Sequence, residues 1–291
     1  MKRIVILVVL VLLAGVAGIV VRSANRPNGT VAELRGLVSH NATGDVRDEI
    51  RQTYQLSPGA TVELSNLNGS IKIETSQTNT AEVLIERTAD SQDSLSRRKV
   101  MVDADNSGLR IRGQRGDAGF LSRIFGSRPS EKVTLKLPRQ ISLIVKGVNG
   151  AIMVGELDGP VDVRGINGRV QIAQATGRAD FKGINGNIVV GLRDLMTDGV
   201  SLNGINGNIE LQLAQSVNAD LDAKGMNGRV VSDMPGVVVE KDKRGSFSAH
   251  IGTGGSAIAV HGINGNVRLT SAQVLTTAVE TLDKSSAAKG N

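Results

Sequence analysis

Aspartates recur along the middle of the sequence at a spacing that could place their carboxylates in a column. Asp162, Asp180 and Asp222 occupy equivalent positions in copies of a repeated unit, and Ser201 takes that position in another copy. A stacked carboxylate column is one way in which β-helical enzymes hold calcium or an acid–base pair. Metal binding and polysaccharide hydrolysis are therefore the first chemistries to test against the sequence.

A second column, two residues further on, changes that interpretation. Its basic members are Lys146, Arg164, Lys182 and Lys224. Residues two apart in a strand share one face, so the aspartates and these cations would form exposed ion pairs, each contributing about 0 to 1 kcal/mol. The pattern favours a solvated face of ion pairs over a catalytic or metal site, and it makes the four cations a possible interaction face.

Other residue types that carry chemistry are sparse. The chain has no cysteine, which excludes disulfides and thiolate metal sites. The three histidines, His40, His250 and His261, lack metal-site spacing. No phosphate-binding loop, nucleophile elbow or calcium-binding nonapeptide occurs. We therefore predict no catalytic residue, no metal site and no cofactor.

A phrase of Gly, an aliphatic residue, Asn and Gly organises the elements that would position these columns. It occurs six times, mostly every 18 to 21 residues, and a degenerate copy lies at Asn66-Leu67-Asn68-Gly69. Asn and Gly enter left-handed backbone conformations most easily, so each phrase predicts a sharp corner or turn. The predicted structural corners are Asn149, Gly150, Asn167, Gly168, Asn185, Gly186, Asn206, Gly207, Asn227, Gly228, Asn264 and Gly265.

Alternating apolar residues flank each phrase on both sides, which predicts two strands per unit. Each phrase could close an antiparallel hairpin, or it could be the corner of a parallel β-solenoid whose units stack. The solenoid is favoured because equivalent positions repeat in chemistry as well as in hydrophobicity. In that all-β fold the Asn amides could hydrogen-bond from rung to rung, and the aliphatic residue would point inward.

The sequence divides into four segments. Residues 1–21 contain an uncharged apolar run from Ile4 to Val21, which predicts a cleaved signal peptide or a transmembrane anchor. Residues 22–50 have the composition of a flexible linker. Residues 51–271 form the repeat domain, with a short helix near Ser91 to Arg98 and a hairpin within the insertion Met234 to Gly255. A polar tail occupies residues 272–291.

One segment between strands, Gln114 to Pro129, is unusual for its apolar content. Phe120, Leu121, Ile124 and Phe125 fall on one possible helical face. This face could contact a membrane or a partner, or it could plug an open end of the solenoid. The plug is favoured because an uncovered edge strand invites association.

The overall charge of +6 and the five aromatic residues argue against nucleic-acid binding, since acids and bases are interleaved and stacking residues are few. The expected partners are an unknown envelope protein, an acidic polymer or an anionic lipid surface. Residues 4–21 would add membrane association if they stay uncleaved.

The stretches V-D-V-R-G-I-N-G-R-V-Q-I, R-G-S-F-S-A-H-I-G-T-G-G and I-A-V-H-G-I-N-G-N-V-R-L resemble a bacterial β-strand-repeat family of unknown function labelled "putative adhesin". The resemblance covers about Gln52 to Leu269 and implies an exported, envelope-associated β-solenoid, linked in some relatives to envelope-stress operons. Relatives often have Thr or Val where this chain has the first Gly of the phrase, which predicts a looser corner here.

The resemblance supplies no catalytic residues. We therefore expect a non-catalytic envelope protein that presents a rigid β-coil for interaction. A membrane-tethered sensory or regulatory module is the alternative, and a β-helical polysaccharide-acting enzyme is less favoured.

Overall fold

The computed structural model describes residues 38–40, 46–115, 129–195 and 199–272. Within these ranges the chain is all-β apart from one short helix, and its strands form two large mixed sheets, here called sheet A and sheet B. Both sheets are parallel through their middle; sheet B is antiparallel at both ends, whereas sheet A is antiparallel only at the end formed by strands from the first part of the described chain. The core lies between the two sheets, where alternate strand residues meet.

The first part of the described chain builds one end of the two sheets. Its elements are β1 (Val38–His40), β2 (Val46–Gln55), β3 (Thr61–Ser65), β4 (Ile71–Ser76), β5 (Thr80–Ala89), α1 (Gln92–Arg97), β6 (Arg98–Asp105), β7 (Gly108–Arg115) and β8 (Ser130–Pro138). Helix α1 confirms the predicted helix, and Ser91 caps it by accepting a hydrogen bond from the Ser94 N–H. Strand β2 begins at Val46, so strand pairing extends into the segment that the sequence assigned to the linker.

The middle of the chain contains the repeated units. Their strands are β9 (Ser142–Lys146), β10 (Ile152–Leu157), β11 (Val161–Asn167), β12 (Val170–Thr176), β13 (Ala179–Asn185), β14 (Ile188–Asp194), β15 (Val200–Asn206), β16 (Ile209–Leu213), β17 (Ala219–Lys224) and β18 (Val230–Ser232). Odd-numbered strands lie in sheet B and even-numbered strands in sheet A. We call one such pair with its connecting corner a rung.

The remaining strands are β19 (Val239–Lys243), β20 (Ser246–Ile251), β21 (Ser256–Asn264) and β22 (Val267–Ser271). β19 and β20 form the antiparallel hairpin predicted in the insertion. β21 and β22 form the last rung of the sequence.

Successive rungs pair in parallel and in register. Val163 of β11 lies beside Phe181 of β13, and Ile166 lies beside Ile184. Because equivalent residues stack, the inward positions form continuous columns of buried aliphatic side chains, with Val163, Ile166 and Ile184 at most 2% exposed. The phrase connects sheet B to sheet A within each rung, so it does not close a hairpin.

The order of the rungs in space differs from their order in the sequence. The last rung, β21 with β22, lies between the rung of β15 and β16 and the rung of β17 and β18. The opposite end follows the same pattern, since β3 and β4 lie between β7 with β8 and β9 with β10. The sequence predicted rungs in chain order, because the repeat pattern does not encode which neighbour each rung chooses.

Several predictions fall on residues outside the described ranges. These are the apolar segment 1–21, the contact loop with Phe120, Leu121, Ile124 and Phe125, and the tail beyond residue 272. Within the ranges that the structure describes, no helix is long and apolar enough to cross a membrane.

Candidate interaction face

Each corner turns at the first glycine of its phrase. Gly183 has a φ of +63°, and this left-handed residue interrupts the alternation, so that Lys182 and Gly183 are both exposed while Ile184 is buried. Among the described residues, Asn66 is the one non-glycine with positive φ, at 55°, and it replaces that glycine in the degenerate copy. The prediction that the phrase asparagines need a left-handed backbone was therefore wrong, because the preceding glycine supplies it.

The last glycine of each phrase is required for a different reason. Gly186 has a φ of +154°, and a Cβ atom placed there would lie 2.2 Å from the carbonyl oxygen of Gly168 in the neighbouring rung. The corresponding approach is 2.2 Å for Gly168 and 2.3 Å for Gly207. Backbones therefore meet at the corner more closely than any side chain permits.

The phrase asparagines form a ladder of amide hydrogen bonds along the corner. Asn185 Nδ2 donates to Asn167 Oδ1 at 3.2 Å, and Asn185 Oδ1 accepts from Asn206 Nδ2 at 3.1 Å. The same pattern continues in both directions, from Asn68 at one end to Asn227 at the other. All donors point the same way along the stack, an arrangement in which hydrogen bonds polarise one another.

A second asparagine ladder was not predicted. Asn187 Oδ1 accepts the backbone N–H of Asn208 at 3.0 Å, and Asn208 Oδ1 accepts the backbone N–H of Asn266 at 3.0 Å. The signal was present in the sequence, since an asparagine follows the phrase in three copies. An asparagine in three of six copies does not by itself indicate a ladder, because the hydrogen bond depends on which rungs are neighbours.

The predicted basic face lies on the outer side of sheet B, but its members are not consecutive. The register places Lys146, Arg164 and Lys182 side by side, and then Asn203, His261 and Lys224. The inserted last rung is the reason that His261 precedes Lys224. Two polar residues, Asn203 and His261, therefore interrupt the cationic column between Lys182 and Lys224.

Most charges on this face are paired. Arg164 Nε lies 2.5 Å from Asp162 Oδ1, and Lys224 Nζ lies 2.5 Å from Asp222 Oδ2. Lys146 is 3.5 Å from the Glu63 carboxylate. These exposed pairs each stabilise the fold by about 0 to 1 kcal/mol and largely cancel each other's field.

Lys182 departs from this pattern. Its expected partner, Asp180, instead binds Arg178 on its other side, with Arg178 Nη2 2.6 Å from Asp180 Oδ2. Across the residues that the structure describes, Lys182 has no carboxylate partner. The face thus carries one cation whose charge is uncompensated.

Two shallow depressions lie on the same face and share Arg164 and Asp180. One, of about 290 Å³, is lined partly by Ile144 and Pro160, and the other, of about 220 Å³, is lined by Lys182, Ser201 and Asn203. Both are open surface features and neither encloses a small molecule.

Sequence reasoning also missed a buried charge cluster at the end of the stack where β7 and β8 form the terminal rung. Glu131, whose side chain is fully buried, forms an ion pair with Arg98 and accepts the Asn68 N–H at 2.7 Å. Arg87 pairs with Asp48, and Arg87 Nη1 also donates to the Arg98 carbonyl oxygen at 2.5 Å. Buried charges require such partners, and no repeat pattern indicates them.

The pKa values of Asp220 and Tyr54 are shifted from their ordinary values. Hydrogen bonds from the Gly255 N–H and from His250 lower the pKa of the exposed Asp220 carboxyl. Burial, with a smaller contribution from the Asp103 charge, raises the pKa of the Tyr54 phenol to about 12. Among the described residues, no group of three or more His, Cys, Asp or Glu side chains could hold a metal ion.

Comparison with known proteins identifies no family. No protein-family model matches the sequence, and no curated protein matches it. A solved structure of a putative cell adhesion protein from Clostridium sporogenes is 12% identical, with a TM-score of 0.37, over 77% of this chain and 99% of that one.

Two further solved structures are of putative adhesins. The one from Bacteroides fragilis is 13% identical, with a TM-score of 0.31, over 76% of this chain and 96% of that one. The one from Parabacteroides merdae is 9% identical, with a TM-score of 0.25, over 77% of this chain and 96% of that one.

Proposed function

We propose that this protein is a non-catalytic β-solenoid that presents the outer face of sheet B to an acidic partner. The in-register parallel rungs and the two asparagine ladders support the solenoid, since each ladder requires equivalent corners to stack at a constant spacing. A stack of this kind holds outward side chains on a rigid frame. The apolar run at residues 4–21 further supports a place outside the cytoplasm, in the cell envelope.

The pairing of the face carboxylates carries the non-catalytic part of the proposal. Glycoside hydrolysis uses two carboxyl groups about 5 to 9.5 Å apart, one as acid and the other as base or nucleophile. Asp162 and Asp180 are adjacent in the stack, but each forms an ion pair with an arginine. Both carboxylates are engaged in ion pairs, so the column suits structure and charge balance.

The partner is expected to be an acidic polymer. Arg164, Lys182 and Lys224 point outward from one face, and their aspartate neighbours neutralise part of the field. Binding should therefore be weak and should fade with rising ionic strength, since screening lengths fall to about 8 Å at physiological salt.

The test uses polyglutamate as the acidic probe and a panel of neutral glycans for hydrolysis. We expect salt-dependent polyglutamate binding, no glycan hydrolysis, and loss of binding when Arg164, Lys182 and Lys224 are all replaced by Gln. The matched control replaces Lys72, Lys132 and Lys136 by Gln, which removes the same charge from exposed positions of sheet A. Equal loss in both triple variants, or any glycan hydrolysis, would refute the proposal.

A further inference from the structure

We infer that Lys182, Asn203 and His261 form a binding site for one carboxylate or phosphate group of an acidic polymer. This inference rests on the proposed function, because it identifies the part of the sheet B face that binds and the chemistry that it binds. The three residues occupy one column of consecutive strands, β13, β15 and β21. Neighbouring side chains in such a column are about 4.8 Å apart.

The three side chains offer complementary donors. Lys182 supplies an ammonium group, Asn203 an amide NH₂, and His261 a ring N–H. All three residues are exposed, and no partner occupies their side chains within the described part of the chain. A tetrahedral phosphate or planar carboxylate oxygen pair can contact two of these donors at once.

The surrounding ion pairs distinguish this position from the rest of the column. Ser201 and Ala259 replace the aspartate beside Asn203 and His261. Asp180, beside Lys182, is bound by Arg178. The rungs on either side carry closed pairs, so an anion elsewhere on the column must compete with a carboxylate that is already bound.

The surface is also recessed at this site. The smaller depression, of about 220 Å³, is lined by Lys182, Ser201 and Asn203 together with the paired Arg164 and Asp180, so the Ser201 hydroxyl can add a further donor. His261 lies on the next strand, outside this lining. Because the depression is open along the stack, one carboxylate or phosphate group of the polymer can enter it while the rest of the polymer lies along the outer face of sheet B. It is too shallow to enclose a free ligand.

A polymer fits this site better than a lipid surface. Attraction to an anionic membrane is worth about 1 kcal/mol per nearby basic residue, so adsorption needs a cluster of free cations. Here one free cation stands between ion pairs. The geometry suits contact with one anionic group at a time, and a long polymer offers the site many equivalent groups.

The experiment compares single variants of the full-length protein at low ionic strength. Lys182→Gln and Lys224→Gln remove the same charge from the same column, but only Lys224 has a carboxylate partner. We expect Lys182→Gln to weaken binding of polyglutamate and of polyphosphate about tenfold, as loss of one charge-assisted contact predicts. Lys224→Gln should change it by less than about twofold, and Asn203→Ala and His261→Ala should each weaken it about threefold.

The outcomes separate this inference from the proposed function. Equal effects of Lys182→Gln and Lys224→Gln would overturn the site while leaving a diffuse acidic-polymer surface intact. Absence of binding by the unmodified protein would overturn both. Binding to phosphatidylserine vesicles with none to either polymer would replace the polymer with a membrane. Melting temperatures of all four variants should match that of the parent, since these side chains are exposed.

Discussion

Replacing Gly186 by Ala tests the account of how the rungs stack. The added methyl group would lie 2.2 Å from the Gly168 carbonyl oxygen and 2.6 Å from its carbon, both backbone atoms. Neither neighbour can rotate away, as a side chain could. The two rungs must therefore separate by about 1.2 Å at the corner for the new Cβ to reach 3.4 Å, the lower limit of ordinary van der Waals contact.

That separation has a calculable cost. It would stretch the hydrogen bonds from the Gly168 N–H to the Asn185 carbonyl, at 3.0 Å, and from the Val170 N–H to the Asn187 carbonyl, at 2.9 Å, as well as the adjacent amide bond of the ladder. Three hydrogen bonds contribute about 1 kcal/mol each. Forcing alanine into the backbone conformation of Gly186 adds about 1 to 3 kcal/mol. The expected loss is about 5 kcal/mol, a large share of a typical domain's stability.

The assay is urea unfolding followed by circular dichroism, with two matched controls at Gly183. That residue is also left-handed, but its nearest neighbour to a new Cβ is 3.9 Å away, so Gly183→Ala should cost only the backbone penalty of about 1 to 2 kcal/mol. Gly183→Asn should cost less, because Asn66 already adopts that conformation in the degenerate copy. If Gly186→Ala unfolds at the same urea concentration as Gly183→Ala, close backbone approach does not determine the corner.

Four further results are expected. Asn185→Ala removes two ladder bonds at an exposed position and should lower the free energy of unfolding by about 1 to 2 kcal/mol in urea titrations. Arg98→Met leaves Glu131 buried without its cation and should cost about 3 to 5 kcal/mol, whereas adding Glu131→Gln should restore much of that stability; an additive double variant would contradict the pairing. Tyr54 is the only tyrosine, so tyrosinate absorbance should titrate near pH 12. In the unfolded chain the Tyr54 phenol has its ordinary pKa of about 10. Its contribution to stability is therefore complete below about pH 10 and is lost as the pH rises towards 12. An absorbance midpoint near pH 10 would refute the burial of Tyr54. Ending the chain at Gly255 removes an internal rung, so hydrogen exchange should show lost protection in β18, which then has no strand neighbour, whereas β17 keeps its antiparallel neighbour β20.

The corner chemistry was only partly predictable. The repeated phrases lie where the chain passes from sheet B to sheet A, and Gly and Asn share tolerance of unusual backbone angles. That shared tolerance also hid which residue uses it. The roles separate only when rungs are stacked: Gly183 provides the left-handed turn, Asn185 the ladder, and Gly186 the close approach.

Sequence spacing does not determine which basic residue on the interaction face forms an ion pair with Asp180. Asp180 has a basic residue two positions away on each side, Arg178 and Lys182, and strand geometry permits either pair. The structure forms the first pair and leaves Lys182 free. The position of His261 beside Asn203 likewise depended on the insertion of the last rung, since every rung presents the same apolar pattern to its neighbours.

The inserted rungs explain how a stack of identical surfaces stays finite. A rung added in chain order would leave its parallel edge open to another chain. In this chain the terminal rung, β17 with β18, precedes the inner rung, β21 with β22, in the sequence. The outer side of β17 is therefore free to pair with the antiparallel strand β20, and β19 pairs with β20 and forms the edge of sheet B. β19 carries Glu240, Lys241 and Asp242, and charges on an edge strand oppose pairing with a second chain. In sheet A the edge strand β18 has only three residues, too few to offer a long template. Both edges at this end of the stack are therefore protected against pairing with a second chain.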